Sequence, residues 1–128
     1  MGVHPHNAVE LCRWLQKCGF PDIMLGDFNA GDYKKCYGDN RFKVNRENYK
    51  KLIDGYTDIC DGQITRRVAF PNGFVYETPI DHILIKSNSE FTKKYQYKNV
   101  LVEKNEDNVS EHYPIYFRLL CLENTDKT

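Results

Sequence analysis

Three short segments hold the residues that could do chemistry. The first is Leu25-Gly26-Asp27-Phe28-Asn29, at the end of the apolar run Ile23-Met24-Leu25. Strand ends that open into loops are where rigid scaffolds display functional side chains. Asp27 and Asn29 stand two apart, so extended backbone would send both to one side. An anionic acceptor beside a neutral amide suits a site that activates water and steadies a developing charge. Gly, Asp and Asn are also turn formers, so an ordinary turn stands beside that reading.

The second segment is Pro79-Ile80-Asp81-His82-Ile83-Leu84-Ile85, an acid set inside an otherwise apolar strand. A buried carboxylate is expensive unless it is paired or binds a metal. Asp81 therefore calls for a partner, and histidine is a frequent one in hydrolytic sites. His82 falls on the opposite face of the strand, which makes it a packing or surface residue rather than that partner. The third segment is Ser110-Glu111-His112-Tyr113-Pro114. Its His112 is a candidate partner for Asp81, and Glu111 a candidate ligand for a hard cation such as magnesium. Taken alone, a Glu-His pair in a loop is more often solvated surface.

The elements that must position these residues can be read from periodicity. Asn7 to Lys17 has helical spacing, with Val9, Leu11, Cys12 and Leu15 near one face. Asn7 reads as its N-cap with Glu10 three residues on, Gly19 and Pro21 end it, and Trp14 at its edge reads as a packing residue. Ile23–Leu25 is a short buried strand, and 31–45 a long polar loop. Asn45 reads as the cap of a second helix running through Leu52 and Ile53. Ile64–Phe70, Phe74–Thr78, Ile80–Ile85, Tyr95–Val102 and Pro114–Leu120 have strand composition, with a hairpin turn at Pro71-Asn72-Gly73. In the last strand, Ile115 and Phe117 share the expected core side, away from Tyr116. The class is α+β, with helices on a mixed, mainly antiparallel sheet.

Composition bounds what such a protein could be. The chain has 128 residues, enough for one domain with a single core. Lys plus Arg equals Asp plus Glu at 18 each, so overall charge alone does not draw the chain to nucleic acid. The five cysteines show no zinc-ligand spacing, and free thiols point to a reducing, cytoplasmic setting. No apolar run reaches the roughly 18 residues of a membrane span.

In order and context, strand-GDFN, then IDHILI, then SEHYPI before a closing strand, the chain resembles the endonuclease/exonuclease/phosphatase family, also called deoxyribonuclease-I-like. The resemblance runs from about His4 to Leu120, and Gly55-Tyr56-Thr57-Asp58 looks like the family's segment between helix and strand. It implies residues 1–122 as the C-terminal half of a deoxyribonuclease-I-like sandwich, followed by a polar tail at 123–128. It implies a phosphodiesterase dependent on Mg2+, with Mn2+ as an alternative. Asp27 would orient and deprotonate the attacking water, and Asn29 would hydrogen-bond the phosphoryl oxygens. Asp81 would hold His112, which contacts the scissile phosphate. Glu111, with Asp27, would help hold the metal. His4, in Val3-His4-Pro5, corresponds to the family's more N-terminal histidine and would touch substrate.

Two departures accompany the match. The family usually has aspartate where Glu111 stands, and it takes its principal metal ligands, an asparagine and a glutamate, from strands earlier than this region. The expectation is therefore an enzyme if it is complete or complemented, either by the missing N-terminal half or by a second copy. The alternative is a catalytically incomplete half-domain that binds a partner or a phosphate-bearing ligand without turnover. Nucleic acid is the leading substrate class. Lys34, Lys35, Arg41 and Lys43 interleave with Tyr33, Tyr37 and Phe42 just after GDFN, in the manner of groups that pair phosphates and stack on bases. A solvated loop is the competing reading of that stretch.

Overall fold

The computed structural model describes residues 5–32, 43–104 and 110–122. His4, the loop residues Tyr33, Lys34, Lys35, Tyr37, Arg41 and Phe42, and the tail 123–128 lie outside them, as does the side chain of Lys43.

The fold is α+β, and every strand pair among the described residues is antiparallel. Helix α1 (Pro5–Cys18) leads into strand β1 (Ile23–Asp27), and helix α2 (Lys43–Leu52) into β2 (Tyr56–Asp58). Next come β3 (Arg66–Ala69), β4 (Val75–Thr78) and β5 (Asp81–Lys86). A short helix α3 (Glu90–Lys94), β6 (Tyr95–Val102) and β7 (Ile115–Cys121) complete the chain. The central sheet has the order β1-β5-β2, while β3-β4 and β6-β7 form separate ribbons.

Strand β5 is the spine of this arrangement, covered on both faces, which is why its sequence is apolar almost without alternation. Leu84 points to the helix side, packing with Leu15, Met24 and Tyr56. Ile83 and Ile85 point the other way, joining Ile59 and Cys60 under Val100, Ile115 and Phe117. Leu84 is fully buried, and burying such a side chain is worth about 1.5–3 kcal/mol. Ile115 and Phe117 take the core side of β7 and Tyr116 is exposed, as their alternation requires.

Several elements differ from their sequence reading. Helix α1 starts at Pro5, so Asn7 lies inside it and is not its cap. A proline is well placed in a first helical turn, where its missing N–H has no partner to lose. Likewise α2 starts at Lys43, so Asn45 lies within it, its amide turned to the Asn29 carbonyl at 3.3 Å. Trp14 is 59% exposed and packs no core, because α1 buries only the side bearing Leu15 and Leu11. The expected ends hold better. Gly19 donates to the Leu15 carbonyl where α1 stops, and the turn at Pro71-Asn72-Gly73 is closed by Phe70 donating to Phe74. Helix α3 has a capping box built from Ser89 and Thr92 rather than the acidic form that is easier to spot in sequence.

The four described cysteines, Cys12, Cys18, Cys60 and Cys121, are free thiols. Among the described residues no helix is long and apolar enough to cross a membrane.

Candidate functional site

The register of β1 on β5 sets Asp27 directly opposite Asp81 at the open end of the sheet. Cross-strand neighbours of an antiparallel pair share a face, and like charges in that position repel. Some positive or proton-donating group must therefore sit between them. His112 does: its Nδ1 is 2.7 Å from Asp81 Oδ2, and its Nε2 is 3.9 Å from Asp27 Oδ2. The three side chains each offer a ligand atom, all within 4.8 Å of one another. Asp81 is 15% exposed, whereas Asp27 and His112 are near 40%, so the cluster opens to solvent on one side.

Each member is held by backbone. Gly26 precedes Asp27 with φ of 140°, a conformation that side-chain-bearing residues rarely adopt, and lets the strand end there with Asp27 turned to the site. Asn29 departs from extended backbone, with a left-handed φ of 52°, so it does not simply repeat the direction of Asp27. Its N–H instead donates to Asp27 Oδ1 at 2.8 Å, which leaves Oδ2 free to face His112. Gly31 lies so close to Pro79 that a Cβ there would strike the Pro79 carbonyl, locking the turn after Asn29 against the entry to β5.

Thr65, fully buried, ties Asp81 to the backbone beside His112. Its hydroxyl accepts from the Asp81 N–H at 3.0 Å, and its carbonyl accepts from the Tyr113 N–H at 2.7 Å. A β-bridge between Arg66 and His112 extends the connection. Thr65 carries no motif, and its role comes from contacts 16 and 48 positions away, which a strand-like segment does not announce. Glu111 is placed beside the cluster but outside the three-ligand group, its carboxylate on the Arg66 guanidinium at 2.9 Å. A shallow groove of about 280 Å3 runs from the site along Leu25, Ile115 and Phe117.

Directly behind Asp81, His82 faces the helices and is 2% exposed. Its Nδ1 meets Asp58 Oδ2 at 2.8 Å, and its Nε2 meets the Ala30 carbonyl. Both partners accept, so the ring satisfies both only when both nitrogens carry a proton. Asp58 also accepts from the Tyr49 hydroxyl at 2.7 Å and from the Cys60 N–H at 3.0 Å. Burial by itself would raise the Asp58 pKa, but the hydrogen bonds and charge of His82, with those of Tyr49 and Cys60, hold it below the usual value. Burial, then the bond to Asp58, pushes the Tyr49 phenol up. Cys60 is pushed up to about 11, by burial first and then by the Asp58 charge. The sequence had marked His82 as packing or surface. It is packed, and it is also hydrogen-bonded to a buried carboxylate.

An acid pair bridged by an imidazole at an open strand end can hold a divalent cation, or can orient a proton-transfer pair, with Nδ1 committed to one carboxylate and Nε2 facing the other. No family model, curated protein or solved structure matches the chain.

Proposed function

We propose that this chain carries the site of a metal-dependent phosphodiesterase acting on nucleic acid. The observation that supports the reading best is the register-opposed pair Asp27 and Asp81 with His112 between them. The donor set fits a hard or borderline cation such as Mg2+ or Mn2+, since carboxylate oxygens suit both and the imidazole favours the second. The carboxylates of Asp27 and Asp81 would hold it, which leaves the His112 ring for the phosphate. A bound cation supplies charge neutralisation for the phosphoryl oxygens.

The residues of the chain divide the remaining work. Asp27 Oδ2 takes the proton of the attacking water while the new P–O bond forms and the ester P–O bond breaks. Asn29, beyond the turn, supplies amide donors to the phosphoryl oxygens. Asp81 fixes the His112 ring through Nδ1, so that Nε2 is presented to the scissile phosphate. The support for nucleic acid is the basic and aromatic stretch that follows GDFN, together with Arg66 beside His112.

A second reading, ligand binding without turnover in a site completed by another polypeptide or a second copy, has one observation in its favour. Leu25, two residues before Asp27, is 65% exposed along the apolar groove, and exposed apolar surface of this kind is often covered by a partner.

Hydrolysis of bis(p-nitrophenyl) phosphate and of a single-stranded oligonucleotide, with and without Mn2+, separates the two. The enzyme reading expects metal-dependent cleavage that falls by about 10²- to 10⁴-fold in Asp27→Ala and in His112→Ala. A folded chain that binds Mn2+ and cleaves neither substrate refutes it and leaves the binding reading.

A further inference from the structure

We infer that the buried His82–Asp58 pair is a positioning device for the site, acting through the Ala30 carbonyl on the turn that holds Asp27 and Asn29. The inference rests on the phosphodiesterase reading for its catalytic consequence, though not for its structural one.

Strand β5 sends alternate side chains to opposite faces, so Asp81 reaches the open site and His82, its neighbour, reaches the helix side. There the His82 ring is fastened on both edges. Nδ1 is bonded to Asp58 on β2, and Nε2 to Ala30, which is 52 residues away in sequence and only three beyond Asp27. The ring is also packed against Phe28 and Tyr49, at centroid distances of 6.0 and 5.0 Å. Phe28 is itself part of the Asp27–Asn29 turn. The strut therefore grips that turn twice, by the face of Phe28 and by the carbonyl of Ala30.

What it grips is a turn already tied to the entry of β5 by the Phe28 N–H on the Ile80 carbonyl at 3.0 Å, and the strut adds a hold on the Ala30 carbonyl. Asn29 sits at φ of 52°, and its N–H must lie against Asp27 Oδ1 for Oδ2 to face His112. The Ala30 carbonyl that His82 holds belongs to the second peptide unit after Asn29. Asn45 anchors the Asn29 carbonyl on the other side, but at 3.3 Å and in an exposed setting. Asp58 in turn keeps the His82 ring from rotating, with Tyr49 and the Cys60 N–H fixing the carboxylate. Replacing a buried polar pair by well-packed apolar groups is often neutral or stabilising, but here it would leave the carbonyl of the fully buried Ala30 without its donor. A polar strut aimed at a functional turn does something packing alone does not, which is to specify where one carbonyl lies.

His82 is thus a positioning residue and not a catalytic one. The test compares His82→Leu, which removes both bonds, with His82→Gln, whose amide can still donate to Ala30. Tyr49→Phe serves as a milder variant that removes one bond to Asp58 and keeps the ring packed on His82. Two readouts are taken on folded protein. The first is amide exchange and the ¹H–¹⁵N shifts of Phe28, Asn29 and Ala30. The second is Mn2+-dependent phosphodiester hydrolysis. In His82→Leu the three turn amides should shift and exchange faster while those of Met24 and Leu84 hold. The kcat should fall by about 10- to 100-fold with KM nearly unchanged. His82→Gln should recover most of both effects, and Tyr49→Phe should show a smaller change at the same three amides. Turn amides that stay put in His82→Leu, or in Tyr49→Phe if the leucine variant does not fold, overturn the inference. So does a glutamine variant as impaired as the leucine one. Failure of the phosphodiesterase reading shows separately, as absent hydrolysis by the unsubstituted chain, and the amide readout then decides the positioning role by itself.

Discussion

Two neighbouring residues of one strand, Asp81 and His82, each belong to a histidine–aspartate pair, and the pairs could hardly be used more differently. His82 and Asp58 are 2% and 5% exposed, while His112 and Asp81 are 37% and 15% exposed. The His–Asp distances are almost the same, 2.8 and 2.7 Å. The chemistry of contact therefore does not distinguish them. What does is the second ring nitrogen. His82 spends it on a backbone carbonyl inside the protein, and His112 turns it toward Asp27 and solvent. A saturated buried pair organises structure, whereas a pair with an open valence at an exposed edge can meet a ligand.

The comparison breaks most visibly through stability. Asp58→Ala leaves the buried His82 Nδ1 and the Tyr49 hydroxyl without their shared acceptor, so it should destabilise the fold by about 3–5 kcal/mol in urea denaturation. A loss under 1 kcal/mol would mean the buried pair is not the structural member of the two.

The pH dependence should follow the same side of the molecule. Asp58 has a folded pKa below its ordinary 3.8, so its contribution is complete above that value and disappears as pH falls through the depressed one. The stability advantage of the native chain over Asp58→Asn should thus be level at neutral pH and shrink below pH 3.8. At the alkaline end the sign reverses. Tyr49 and Cys60 have raised values, so they favour the folded state fully only below 10.0 and 9.0, and stability falls as pH climbs beyond. Tyr49→Phe should flatten part of that alkaline decline, which denaturation midpoints between pH 8.5 and 11 would reveal.

The smallest effect sharpens the exposed side. Asp27→Asn removes one of two opposed carboxylates, so in metal-free buffer it should stabilise the fold by about 0.2–1 kcal/mol even as it removes the proposed base. Destabilisation instead would show that the two acids are not in repulsive contact.

Much of this was legible in the sequence, and the reasons are physical. An acid inside Ile80–Ile85 calls for a partner, His112 reads as a candidate for it, and the two meet at 2.7 Å. Period-two alternation placed His82 on the opposite face from Asp81 and Ile115 with Phe117 in the core. What stayed hidden depends on register and distance. Asp58 is 24 residues from His82, and only the pairing of β2 with β5 brings them together. Strand β2 is three residues long, too short for periodicity to reveal. The left-handed Asn29 breaks the two-residue rule that would have aimed it alongside Asp27. Glu111, read as a metal ligand by resemblance, meets Arg66, a contact 45 residues distant.

The most direct test of the account is Mn2+ titration followed by ¹H–¹⁵N spectra, in the native chain and in Asp27→Ala. The account predicts paramagnetic broadening centred on Asp27, Asp81 and His112, weak or absent in the variant. Broadening centred elsewhere, or none at all in the folded native chain, would contradict it.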